Sequence, residues 1–176
     1  MPWFPMRVTY SRELKVKSRL EELKVECFLP MKYAVVNQHG TPRFKLVPAI
    51  HNLIFVREDQ KRLTNLKRYD SILNSLRYMM LRENPVTKTG GRIMTVPDVQ
   101  MDNFMRVASV TDDSVIFLDK TDIGVVGQKV MVTEGPFAGV VGVIKRIKKN
   151  KRVVVAIEGC AAVAITYVPK SALVLA

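Results

Sequence analysis

At 176 residues and 48% hydrophobic content, the chain is long enough for one domain or two small ones and too apolar for global disorder. A formal net charge of +12 favours polyanionic partners, because cations that neutralise phosphates release counterions. Cys27 and Cys160 lie far apart in apolar runs, without the spacing of a metal site, and read as buried free thiols. No basic-then-apolar signal segment opens the sequence, and no apolar run reaches membrane-spanning length, so a cytoplasmic protein is expected.

Residues 3–10 predict a strand, followed by a helix over 12–25 with Ser11 as N-cap and Glu13 in its first turn. Val16, Leu20 and Leu23 recur at helical spacing as one apolar stripe, with Arg12, Lys15 and Arg19 beside it. Residues 28–36 are rich in β-formers, and Asn37 to Gly40 read as a hairpin turn. The chain returns as a long apolar β-run over 43–56, bent or placed at an edge by Pro48. Asp59 caps a second helix running to about Leu73, with Leu63, Leu66 and Tyr69 inward. A strand is expected over 77–81, a loop over 84–92 and a short extended piece over 93–96. Pro97 then opens a third helix through Val107.

The first ~108 residues therefore read β-α-β-β-α-β-α, an α+β domain. A connector over 111–126 holds one apolar run, Val115 to Leu118, and a polar tail. From Gly127 onward nearly everything is β-branched or a turn, and five short strands in ~50 residues suggest a small SH3-like barrel. Inside it Glu134, Gly135, Pro136 and Phe137 turn one β-run into the next. Gly142, within the returning run, marks a bend or the close approach of another backbone.

Glu134, Gly135, Pro136, Phe137, Ala138 and Gly139, followed by Gly142, resemble the KOW motif of NusG-type transcription elongation factors. Trp3 and Phe4, the segment Phe28 to Met31, the run Val47 to Val56 and the approach Ile93 to Asp98 resemble the family's N-terminal (NGN) domain. The order is that of the family, an NGN-like domain over 1–110, a linker over 111–126 and a KOW domain over 127–176. Within it the chain resembles the RfaH-like and UpxY-like antiterminators. The resemblance implies a protein that binds the clamp helices of the largest RNA polymerase subunit through Trp3, Phe4, Ile50, Leu53 and Phe55, and a monomer is the default expectation. It implies no catalysis, and no cofactor or metal is expected. The chain departs from the family at Ile50 to Leu53, where an aromatic-rich step is usual, and at Glu158 to Cys160, where an aromatic, glycine and arginine are usual.

Two cationic groups carry alternative readings. Arg12, Lys15 and Arg19 on the first helix, with Lys61 and Arg62 on the second, form either a solvated face or a surface for non-template DNA. The tip bearing Lys148, Lys149 and Lys151 is either solvated or a contact for nascent RNA or the ribosome, and with Ile157 and Glu158 it forms the candidate KOW partner surface. The competing function is a ribosome-associated KOW protein that binds structured RNA. His39 and His51 have no second ligand at metal spacing, and no phosphate cradle, nucleophile elbow or carboxylate pair suggests an enzyme.

Overall fold

The computed structural model describes residues 1–82, 91–118, 127–147 and 149–176. Among these the chain is mostly β with three α-helices. In order the elements are β1 (Trp3–Val8), α1 (Glu13–Glu22), β2 (Glu26–Phe28), β3 (Met31–Gln38), β4 (Thr41–Pro48), β5 (Leu53–Arg57), α2 (Gln60–Tyr69), β6 (Leu76–Tyr78), β7 (Met80–Arg82), β8 (Gly91–Ile93), α3 (Asp98–Ala108), β9 (Val115–Phe117), β10 (Gln128–Val132), β11 (Val141–Ile147), β12 (Asn150–Ile157), β13 (Ala161–Ile165) and β14 (Leu173–Leu175). Two compact units result, Met1–Leu29 with His51–Asp98, and Pro30–Ile50 with Val99–Ala176.

In the first unit the antiparallel sheet has the order β2-β5-β1-β6. Its two central strands are apolar at consecutive positions, and Leu53, Ile54, Phe55 and Val56 are all buried. A strand buried on both faces loses the inside–outside alternation of a half-exposed one. Leu53 and Phe55, expected to face polymerase, are therefore core along with Ile54 and Val56. Helix α1 lies against β2 and β5 and buries Val16 and Leu20 one turn apart. Ser11 is not its N-cap: Tyr10 and Ser11 both take left-handed backbone, and Arg12 holds the cap position without a side-chain hydrogen bond. At α2 the Asp59 carboxylate accepts the amides of Lys61 and Arg62, each at 3.0 Å, as a good N-cap does. That helix stops at Tyr69, whose ring is exposed and not inward as expected. A 3-10 turn over Leu73–Ser75 follows.

The two long β-runs of the sequence are each cut. Residues 28–36 divide between β2 and β3, and residues 43–56 between β4 and β5. Asn52, at φ 60°, supplies the left-handed step before β5. The loop expected over 84–92 falls mostly outside the described residues, but Gly91–Ile93 is a strand paired with β7.

In the second unit β3 and β4 form a two-stranded ribbon from Met31↔Pro48 to Gln38↔Thr41. His39 and Gly40 are its two loop residues, and both have positive φ, as a type I′ turn requires. The larger sheet has the order β14-β10-β11-β12-β13-β9. All five strands expected after Gly127 are present, and the apolar run of the connector adds a sixth, β9, along β13. No ladder joins β14 to β9 among the described residues. The sheet is open, not the closed barrel expected, with β9 occupying the outer edge of β13.

Candidate interaction surfaces

Four of the five residues expected to face polymerase are core. Trp3, Phe4, Leu53 and Phe55 are at most 4% exposed, because β1 and β5 are the central strands of their sheet. Ile50 is half-buried. Directly before β5, the buried Glu13 carboxylate accepts the Asn52 amide at 2.8 Å, and its Oε1 lies 3.5 Å from Nδ1 of the exposed His51. This fixes the peptide that turns the chain into the central strand.

The cations on the two helices differ in kind. Arg19 donates to Asp70 at 2.8 Å and to Glu22 at 2.7 Å, and these hydrogen bonds raise its pKa further. Burial pushes the Asp70 carboxyl up, but hydrogen bonds from the Leu73 and Ile72 amides and from Arg19 outweigh it, and the net pKa is lowered. Arg62 pairs with the buried Glu58 and also reaches the carbonyl oxygen of Leu23 at 3.3 Å. Arg19 and Arg62 are therefore engaged in holding elements of the unit together, and Glu58, four residues before Arg62, was the sequence signal for it. Arg12 stacks over the Tyr10 ring at 5.5 Å, and Lys15 and Lys61 are exposed. Lys67 lies 4.0 Å from the centre of the Tyr78 ring, and burial lowers its pKa.

An exposed apolar surface was missed. Pairing in the β3–β4 ribbon puts Tyr33, Val35, Pro42, Phe44 and Leu46 on one face, and Lys32, Arg43 and Lys45 on the other. Phe44 is 70% exposed and Val35 66% exposed. The rings of Tyr33 and Phe44 stack with centroids 5.2 Å apart. Alternation along β3 and β4 carried this signal, but it becomes visible only once the ribbon is known to stand as two strands.

In the larger sheet the residues of the KOW-like turn do what their types suggest. Phe137 is buried as the anchor, Gly135 and Gly139 take left-handed backbone, and the Gly139 amide donates to the Val132 carbonyl at 2.7 Å. A Cβ on Gly142 would lie 2.6 Å from Val153 Cγ1 and 2.8 Å from the Val154 oxygen, so close backbone approach explains this glycine. Glu134 and Pro136 are exposed on the turn. At the neighbouring residues the β11–β12 ladder ends, its last pair being Val143↔Val154. Continued, it would bring Val141 opposite Ala156. Instead α3 supplies the partners. Asn103 accepts the Val141 amide at 2.9 Å and donates to the Val141 carbonyl at 2.5 Å, while Gln100 donates to the Ala156 carbonyl at 3.3 Å. One turn on, Arg106 donates to the Ala138 carbonyl at 3.1 Å.

Of the expected KOW partner surface, Lys149, Lys151 and Glu158 are exposed, and Lys149 and Gly159 are left-handed turn residues. Ile157 is corrected to core, since it faces inward on β12 and is 1% exposed. Lys148 lies outside the described residues. Lys151 also belongs to a groove of about 550 Å³ that no sequence pattern announced, framed by β10, β12, β14 and the 167–170 segment. Neither Cys27 nor Cys160 is in a disulfide; Cys160 is buried as expected, whereas Cys27 is only half-buried, and its desolvation still pushes its thiol up to about 11. No cluster of three metal-ligating side chains occurs among the described residues, and none of their helices is long and apolar enough to cross a membrane.

Comparison with known families agrees with this arrangement in order. Residues 126–155, which run from the approach to β10 into β12, match the KOW motif. No curated protein matches the chain. Residues 1–105, more than half of the sequence, match the family described as transcription termination factor nusG, and the chain therefore belongs to the NusG family.

Proposed function

We propose that this protein is a transcription elongation and antitermination factor. In this reading the N-terminal module, residues 1–110, binds the clamp helices of the largest RNA polymerase subunit, and residues 127–176 form an SH3-like KOW module that recruits a second partner. Residues 111–126 connect them and lend β9 to the KOW sheet. NusG-family proteins are transcription factors that generally bind RNA polymerase, and the observation that carries the reading further is the exposed apolar face of the β3–β4 ribbon. An apolar face of this kind in water marks a site where another macromolecule docks. Tyr33, Val35, Phe44 and Leu46, with Ile50, take the place of the buried Trp3, Phe4, Leu53 and Phe55 as the polymerase-binding residues.

A factor that binds the closed clamp more tightly than the open one shifts the population toward it, and pausing falls. The tether then holds the KOW partner at high effective concentration. Lys15 and Lys61 are the cations placed for non-template DNA. A role as a specialised RfaH-like or UpxY-like factor acting in the cytoplasm as a monomer fits this division. Net charge and the exposed Lys149 and Lys151 favour one other reading, a ribosome-associated protein that binds structured RNA.

The test is transcription by purified RNA polymerase on a long template carrying pause and termination sites. We expect readthrough to rise with the protein and to be lost in the variant with Val35→Asp and Phe44→Asp, which changes only exposed side chains. Firm, salt-sensitive binding to ribosomal RNA with no effect on any template would reject the proposal in favour of the second reading.

A further inference from the structure

We propose that the groove beside β14 is the recruiting site of the KOW module and that it takes an extended acidic–apolar peptide segment of another protein. This names the chemistry of the second partner and rests on the recruitment role proposed above. The floor is aliphatic, built from Val130, Ile144, Val153 and Leu173. Its rim carries Lys151, Arg152 and Lys170, and among the described residues no carboxylate lines it. Such a site attracts side chains that alternate between apolar and acidic, because successive residues of an extended segment point to opposite sides.

Arg152 adds a specific demand. Its Nη1 donates to the Thr166 carbonyl at 3.1 Å, which orients the guanidinium. Its Nε is buried and has no hydrogen-bond partner among the described residues. A buried donor without an acceptor is costly, and a carboxylate or a peptide carbonyl entering the groove would satisfy it. At the rim the Tyr167 ring is 77% exposed, and the apolar side chains of Val174 and Leu175 on the edge strand β14 are exposed as well. They line the groove too, so its apolar surface runs from the floor onto the rim. Tyr167 is the one aromatic ring among the described residues that line the groove, and the floor beneath it is aliphatic, so successive bases would find no row of stacking platforms; this favours a peptide over single-stranded RNA. The groove lies apart from Ile157 and Glu158, which do not line it.

The experiment follows backbone amide shifts of the full chain by NMR during titration with an acetylated eight-residue peptide alternating Glu and Leu. Peptides alternating Lys and Leu, or Glu and Ser, serve as controls, and an octauridylate probes nucleic acid. We expect saturable shifts at Gln128, Val130, Val153 and Val174 with the Glu–Leu peptide only. Arg152→Gln should weaken binding at least ten-fold, and Tyr167→Ser, a surface change that spares the fold, at least three-fold. Equal shifts with all three peptides, shifts at those amides with the octauridylate alone, or no shifts at millimolar Glu–Leu peptide would each overturn the proposal. Readthrough by polymerase is measured with the same unsubstituted protein. If the peptide fails to bind while readthrough on the long template persists, the groove assignment falls and the elongation function stands.

Discussion

Replacing Gly142 by alanine should destabilise the larger sheet, and the structure supplies the reason and the size. The added Cβ would stand 2.6 Å from Val153 Cγ1, 2.8 Å from the Val154 carbonyl oxygen and 3.3 Å from its carbon. The valine methyl can rotate away, but the carbonyl belongs to the β11–β12 ladder and moves only with the strand. Overpacking of this kind costs about 1–3 kcal/mol. Alanine also restricts the unfolded chain and returns roughly 0.4–1 kcal/mol, since Gly142 is not among the positive-φ glycines. The net expectation is a loss of about 1–2 kcal/mol. Because the chain has two compact units, a single melting curve mixes them, and native-state hydrogen exchange at the Val154 and Val163 amides reports the sheet itself. Gly135→Ala is the comparison, where no described atom lies within 4 Å of the new Cβ and only the left-handed backbone, φ 79°, is strained. Unchanged or slower exchange in the Gly142 variant would refute the close-approach argument.

Glu13→Ala removes the acceptor of the Asn52 amide and should cost about 1–3 kcal/mol, read by urea unfolding of the first unit. Asp70 predicts an acid-side effect: its folded pKa is lowered, so its contribution is full above the unfolded value near ~3.9 and disappears as pH falls through the folded value. Stability measured from pH 6 to pH 2 should therefore fall less steeply in Asp70→Asn, and an identical slope would contradict the pairing with Arg19. With its thiol pushed up to about 11, Cys27 should react slowly with iodoacetamide at pH 8 in the folded protein and readily in denaturant, followed by mass spectrometry.

Local chemistry made much of the fold legible. Asp59 announced α2, the turn at His39 and Gly40 announced the ribbon, and the five β-branched runs after Gly127 all became strands. Gly142 was readable because a glycine weakens a β-run unless a bend or a close approach requires it. Burial was harder to read. Trp3, Phe4, Leu53 and Phe55 look the same in sequence whether they line a docking face or the middle of a sheet. What decides is the presence of neighbours on both sides of β1 and β5, and those neighbours come from distant segments. The ribbon shows the reverse. In sequence Val35 and Phe44 are ordinary strand residues, and they are exposed because, among the described residues, β3 and β4 pair only with each other. Arg19 and Arg62 followed the same logic: their partners Asp70 and Glu58 turned apparent ligand-binding cations into braces.

The fork between β11 and β12 carries a liability that α3 removes. Where two strands part, main-chain donors and acceptors face outward, and a strand from another copy of the chain can pair with them. At Val141 both groups are taken by the one amide of Asn103, and at Ala156 the carbonyl is taken by Gln100. Every one of these bonds ends on backbone, so the side chains at positions 141 and 156 are free to vary while the fork stays shut. The protection rests on two amide side chains of one helix, and losing Asn103 would leave a pair of unsatisfied strand groups open to self-association.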